Sequence, residues 1–249
     1  EDAATVSLLS HGRFTLGLGL GWLDIEFEAF GADISRRGRA MEEILEILPQ
    51  AWSGEPFRYE GRVYSLPELA VRPKPSAPIP ILIGGGAEPA IRRAARLADG
   101  IYSNAPLHKF LEQLDWLRDE CEKIGRDPSE LRIVHYSVML PASSTDEAWE
   151  LYGDHVWHMR WKYSDMAASA RRSGPPPVAP PPTEEQMAKV ASREVLAGPA
   201  PEIVEKLLEV RERAGVDVEF VTRSFFSTLE YDAQLELMQQ LAEEVAPHL

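Results

Sequence analysis

The chain has 249 residues, 26 of them basic and 40 acidic, for a formal net charge of -14. That length can bury a substantial core in one large domain or two small ones. The acidity argues against nucleic acid or an anionic membrane surface as the main partner, while leaving room for a local basic pocket. A single cysteine, Cys121, rules out an internal disulfide and suits a reducing compartment, so the cytoplasm is the expected location. No apolar run approaches the ~20 residues needed to span a bilayer.

The chain opens in mid-pattern, without an initiator Met. Ala4, Leu8 and Leu9 read as the end of a helix, so the natural protein is expected to start earlier. Residues 13–20 read as a strand with Gly17, Gly19 and Gly21 on one bare face, against which a flat ring or another backbone can lie. The spacing is not the dinucleotide fingerprint, which leads straight into a helix. Trp22 follows, placed either to stack on a ring or to plug the mouth of a barrel. Asp24 and Glu26 lie just beyond it, where salt bridges or helix capping account for them.

Ser35 is expected to cap a helix over 36–52, with Met41, Ile44, Leu45, Leu48 and Trp52 on its apolar face and Pro49 ending or kinking it. Residues 57–66 form a hairpin around Glu60-Gly61, and 67–80 a proline-rich connector. Residues 79–83 are an apolar, β-branched run, as in a strand buried on both faces. Gly84, Gly85 and Gly86 follow it, and Pro89 suits a helix start. The cap position falls on Ala87 or Glu88, neither a preferred N-cap. A phosphate can take that place, held by backbone N–H groups and the positive end of the helix dipole. The plain alternative is a strand-to-helix turn whose glycines only make room. Gly100 ends the helix, and the next strand runs to Ser103 and Asn104.

Residues 107–124 form an amphipathic helix on Phe110, Leu114, Leu117 and Cys121, stopped by Gly125. Here Cys121 is simply a small core residue. Residues 131–140 are a fourth strand, and Ser144 to Glu147 has capping-box spacing at the head of another helix. That helix runs into an aromatic segment, 154–166, with Trp157, Trp161, Tyr163, His155 and His158. Two His three apart raise a metal site. No recognisable spacing supplies a third ligand, so no metal is expected. A stiff proline segment, 174–182, precedes a short helix capped by Thr183 and Gln186. A helix over 199–214 ends at Gly215, a fifth strand covers 216–223 and a last helix spans about 229–245.

Strands alternating with helices argue for parallel βα units, either an open sheet or part of a (β/α)8 barrel. Ligands then bind at the carboxyl ends of the strands. Gly21-Trp22, the three glycines, Ser103-Asn104 and Arg223 all fall there.

Taken together, the segments SHGRFTLGLGLGWLDIEFEAFGADISRRGRAMEEILEIL, AWSGEPFRYEGRVYSL, PILIGGGAEPAIRRAARLADGIY and AGPAPEIVEKLLEVRERAGVDVEFV resemble the bacterial luciferase-like superfamily. Within it the chain is most similar to the deazaflavin-dependent oxidoreductases. The resemblance implies an α/β fold of the (β/α)8 TIM-barrel type, residues 1–249 forming one domain of about its last five βα units. It also implies a deazaflavin coenzyme, F420, or alternatively FMN, at the carboxyl face. Carried over by position, Gly84, Gly85 and Gly86 match the phosphate-binding turn. Ser103 and Asn104 match the strand end beside it, and Gly19, Gly21 and Trp22 border the ring. Residues 152–197 match a variable insertion over the substrate side.

The implied activity is hydride transfer between F420 and a small organic substrate, in a protein compatible with a homodimer. The rivals are an FMN-dependent monooxygenase, a non-catalytic remnant and, more remotely, a sugar-phosphate barrel enzyme. Family members carry about three βα units ahead of the first matched segment, and these hold the usual polar catalytic residues. No catalytic acid or base is assigned in this chain. An unclosed barrel leaves apolar surface wet, and at ~25 cal/mol per Å² a few hundred Å² forgoes several kcal/mol. The expectation is a marginal fold, a partner over the gap, or a chain cut from a longer gene.

Overall fold

The structure is a computed structural model that describes residues 1–171, 173–174, 177–191 and 195–249. The chain divides into two compact units, one of residues 1–103 and 112–134, the other of residues 104–111 and 135–249.

In the first unit α1 (Asp2–Leu9) leads to the short strand β1 (Leu16–Leu18), then α2 (Asp24–Ala29) and α3 (Arg37–Trp52). The antiparallel hairpin of β2 (Phe57–Glu60) and β3 (Ser65–Leu69) comes next. It is followed by β4 (Ile81–Gly84), α4 (Glu88–Leu97), β5 (Gly100–Ser103) and most of α5 (Leu107–Ile124). β1, β4 and β5 pair in parallel, Leu18 beside Ile83 and Ile83 beside Ile101. The first residues of β6 (Arg132–Pro141) complete the unit, with the Arg132 N–H donating to the Asp99 carbonyl at 2.9 Å.

Sequence explains this packing directly. Ile81, Leu82 and Ile83 are all buried, as a strand covered on both faces requires. α4 turns Ala90, Ala94 and Ala95 inward, and such small side chains let a helix lie close. α5 buries Phe110, Leu114, Leu117 and Cys121, the predicted stripe. Charges tie the helices together: Glu120 accepts from both Arg92 and Arg96, and Glu42 lies within 4 Å of Arg93 and Arg96.

Three local expectations change. The turn ahead of α3 is capped by Asp33, whose carboxylate accepts from the Ser35 N–H at 2.9 Å. The Ser35 hydroxyl donates to the same oxygen and so caps nothing. α3 also continues through Pro49 to Trp52. Pro49 lies in its last turn, where only the bond to the Leu45 carbonyl is forgone. Finally, β1 is three residues long, so Gly19 and Gly21 lie past its end rather than within it.

One buried charge organises the hairpin. Glu43, on α3, is only 4% exposed. Its carboxylate accepts from the N–H groups of Arg62 at 2.8 Å, Val63 at 3.0 Å and Tyr64 at 2.9 Å. Burial pushes this carboxyl up, but the amides of Tyr64, Arg62 and Val63 and the Arg39 charge outweigh it, so it titrates below its ordinary 4.5. Beside it the Tyr59 hydroxyl donates to Glu46 at 2.6 Å and is pushed up to about 12, chiefly by that bond.

In the second unit β6 pairs in parallel with β7 (Val195–Gly198), Val138 beside Val195 and Pro141 beside Gly198. β8 (Glu219–Thr222) also pairs with β6. Around them lie α6 (Thr145–Ser169), α7 (Glu184–Ala191), α8 (Ala200–Ala214) and α9 (Tyr231–Gln240), the last running into a π-helical turn over Leu241–Val245. Val138, Leu140, Val156, Ile203, Phe226 and Leu237 form a closely buried core.

Both predicted caps of this unit form. The Ser144 hydroxyl accepts from the Glu147 N–H. Thr183 and Gln186 exchange side chain-to-backbone bonds in both directions. Gly215 ends α8 at φ 64°, a left-handed position suited to glycine. The sequence reading does not include β7, because four residues between the helices α7 and α8 give too little alternation to read.

Because the Glu43 carboxyl is held below 4.5 in the folded chain, its contribution is fully present above that value and is lost as pH falls from there through the lower folded-state value. Glu43→Gln should lower the thermal midpoint by several degrees at neutral pH. The difference from wild type should shrink as pH drops below 4.5. Melting curves across that range test this, and a pH-independent difference would contradict it.

Candidate functional site

The carboxyl ends of β1, β4 and β5 bring together most of the residues singled out in the sequence. Leu18 faces Ile83 across the ladder, so Gly19 emerges beside Gly84. A Cβ placed on Gly17 or Gly19 would meet nothing within 4 Å, so the surface above this strand end is open to a flat group. Gly21 turns the chain at φ 72°, and a Cβ there would press on the Phe27 ring at 3.1 Å. Phe27 of α2 thus supports the turn from beneath, and Trp22 projects outward, 53% exposed. Asp24 is also exposed and accepts from the Ile25 N–H at the head of α2.

After β4 the backbone of Gly84, Gly85 and Gly86 comes to the surface. Gly85 has φ 134°, a conformation L side chains rarely adopt. The N-cap of α4 is Ala87, which offers no side-chain acceptor, and Pro89 brings no N–H to the first turn. Glu88 is drawn along the helix by Arg92, with N–O distances of 2.8 and 2.6 Å. Its negative charge is thereby balanced rather than left facing the turn. The result is a concentration of exposed main-chain dipole with positive character.

Ser103 lies behind this turn. It is 2% exposed, and its hydroxyl donates to Gln113 Oε1 at 2.6 Å. The Gln113 amide then donates to the Gly86 carbonyl at 3.3 Å. Ser103 therefore touches the turn through Gln113, from inside. Sequence reading missed Gln113. Its signal was a lone amide beside the apolar stripe of Phe110, Leu114, Leu117 and Cys121, in a helix otherwise explained by core packing.

Asn104 and Arg223 belong to the second unit. Asn104 is exposed and Arg223 half-buried. Arg223, Arg160 and Tyr163 all act on Tyr136 of β6. Burial holds that phenol above its ordinary value, and the two guanidinium groups pull the other way. In the aromatic segment Trp157 Nε1 donates to the Pro180 carbonyl at 2.7 Å, and His155 Nδ1 pairs with the Thr228 hydroxyl at 2.7 Å. Burial holds the His155 ring below its ordinary value. Among the described residues no three His, Cys, Asp or Glu side chains gather as a metal site would need, and no helix is long and apolar enough to cross a membrane.

Parallel βα units with a glycine turn and a bare surface at their strand ends are the build of an α/β protein of barrel type. Residues 1–218 match the family described as luciferase-like monooxygenase, and the chain belongs to that family. An uncharacterised protein of Mycobacterium tuberculosis is 32% identical over 138 residues, covering 54% of this chain and 47% of that protein. An F420-dependent glucose-6-phosphate dehydrogenase of Nakamurella multipartita is 31% identical over 133 residues, covering 51% and 39%. The chain thus matches about half the length of these relatives or less.

Among solved structures, the monooxygenase RslO1 of Streptomyces bottropensis superposes with a TM-score of 0.78 at 20% identity, over 98% of this chain and 71% of that one. The fold is accordingly the luciferase-like (β/α)8 barrel. Among the described residues three parallel strands in one unit and three strands in the other account for six of its eight, so the barrel is incomplete.

If Gln113 fixes the turn, Gln113→Leu should speed amide exchange at Gly85 and Gly86 while the protection of β4 is kept. Ser103→Ala should cost about 1 kcal/mol by leaving the Gln113 oxygen unserved. Exchange measured by NMR and melting curves check both, and unchanged exchange in Gln113→Leu would show that the turn stands without it.

Proposed function

We propose that this chain is the cofactor-binding part of an oxidoreductase that uses coenzyme F420 and a small organic substrate. The observation that carries this reading is the exposed glycine turn at the head of α4, beside the bare strand end of Gly19, Gly21 and Trp22. The residues present fit such a coenzyme. A Cβ at Gly86 would press on Gln113 at 3.2 Å and one at Gly85 would meet Ala90 at 3.5 Å, so the absence of side chains lets the turn lie close to the elements behind it, and the surface over Gly17 and Gly19 is open. Gly84, Gly85, Gly86 and the first turn of α4 would hold the phosphate-bearing tail, with Ser103 and Gln113 fixing the turn from behind. Gly19, Gly21 and Trp22 would border the ring, and Asn104 follows Ser103 at the end of β5. When bound, the deazaflavin supplies hydride chemistry at its ring carbon. The chain's own contribution is to hold an anion on main-chain amides, to offer a flat surface for the ring and to present an indole at its edge.

The F420-dependent relative supports the choice of coenzyme. Residues 152–197, with Trp157 and Tyr163, are assigned to the substrate side of a single domain. A second reading, an FMN-dependent monooxygenase, is favoured by the family description and by the likeness to RslO1. Oxygen consumption separates the two.

Titration of the chain with F420 and with FMN, followed by ring fluorescence, should show saturable binding with F420 preferred. Binding of neither would end the proposal. Gly85→Asp should weaken binding about tenfold, or roughly 1.4 kcal/mol, beyond Gly85→Ala. Both variants carry the same backbone strain, so equal affinities would show that no anion sits at the turn.

A further inference from the structure

Arg223 follows β8 directly, at a strand end of the kind that takes ligands, yet the cofactor reading gives it no part. One face of β8 is accounted for. The Thr222 hydroxyl accepts from the Met139 N–H at 3.0 Å, and the Phe220 ring lies 5.4 Å from the Arg211 guanidinium. Side chains alternate between the faces of a strand, which puts Val221 and Arg223 on the other one. Val221 is 39% exposed and Arg223 half-buried, so that face is open to solvent.

Positive charge gathers on it. The Arg223 guanidinium donates to the Tyr136 phenol of β6, the strand beside β8. Arg160 and Tyr163, one turn apart on α6, act on the same phenol. The groups that act most strongly on Tyr136 thus include two cations and no carboxylate. Elsewhere in this acidic chain arginines are set against carboxylates, as Arg92 and Arg96 are against Glu120 and Arg213 against Glu209. Among the described residues Arg223 has no such partner. A guanidinium carries several N–H donors in a planar fork, and one phenol serves only one of them. Arg160 has contacts of its own within the chain, so it contributes its charge, while Arg223 keeps donors to offer. Two like charges drawn partly out of water repel, and an anion set between them relieves both.

We propose that Arg223, with Arg160 and Tyr136 beside it, binds the acidic group of the substrate, which makes the substrate an organic oxyanion, a carboxylate or a phosphate. The fork of Arg223 matches two oxygens of such a group, and Arg160 adds a second charge. Tyr163, 53% exposed, offers a ring to the organic body of the molecule. That the anion is the substrate rests on the oxidoreductase reading. That the cluster binds it does not, because all four residues belong to the second unit and the glycine turn to the first.

The test titrates the whole chain, without coenzyme and in physiological salt, with benzoate, phenyl phosphate and benzyl alcohol, following arginine Nε–H signals by two-dimensional NMR. At least one of the anions should give saturable shifts at Arg223, and the alcohol none. Saturation by benzoate alone marks a carboxylate site, and by phenyl phosphate alone a phosphate site. Arg223→Gln should weaken the anion about tenfold and Arg160→Gln about threefold, while Arg223→Lys, which keeps the charge and loses the fork, should recover part of the loss. Unchanged amide spectra away from the cluster show that each variant is folded. The proposal is overturned if neither anion saturates, if the alcohol binds as tightly, or if Arg223→Gln leaves the affinity unchanged. Anion binding in a chain that fails to bind F420 would remove the coenzyme reading and keep the oxyanion site, and F420 binding without anion binding would remove the oxyanion site alone.

Discussion

The organising constraint of the first unit is the emergence of a fully buried strand into a turn without side chains. β4 is covered on both faces as far as Ile83, and within three residues the chain is exposed at Gly85 and Gly86. A backbone that leaves the core so abruptly carries polar groups that must find partners. On the inner side the Gly86 carbonyl is met by Gln113, which is itself held by Ser103. On the outer side the amides and the first turn of α4 face outward. One side of the turn is thus fixed by side chains, and the other is left as a shaped polar surface.

The rest of the unit serves that arrangement. Alanines on α4 bring its axis close to the sheet. The Arg126 guanidinium donates to the Ala95 and Ala98 carbonyls, so the far end of the same helix is closed. Glu42 and Glu120 gather the arginines of α4 from both flanks. Glu120 and Arg93 are buried members of this network. Shared acceptors between α3, α4 and α5 limit how far α4 can slide, and with it the turn at its head.

Much of the fold was legible because its signals are local. The run Ile81, Leu82, Ile83, the stripe on α5, the capping pairs at Ser144 and Thr183 and the stops at Gly125 and Gly215 each depend on residues within a turn or two of one another. What could not be read depends on distant partners. Glu43 looks like an ordinary helix-surface glutamate until the loop some twenty residues later is folded against it. Gln113 looks like a spare polar position until Ser103 and Gly86 are brought beside it. Asp33 displaced Ser35 as the cap by a difference of two residues, below what residue preference can resolve. In the candidate site the glycines and Trp22 were visible as a pattern, whereas the inward aim of Ser103 depended on tertiary packing.

The Glu43 arrangement also bears on how this chain can change over time. Its carboxylate grips three peptide N–H groups, and peptide groups are the same whatever residue bears them. Arg62, Val63 and Tyr64 are therefore free to vary in side chain while the path of the loop is kept. The adjoining Gly61 is not, because a Cβ there would collide with the Glu43 carboxylate. Natural diversity in this hairpin should be wide at three positions and narrow at the fourth, with the glutamate twenty residues upstream as the fixed point of the whole segment.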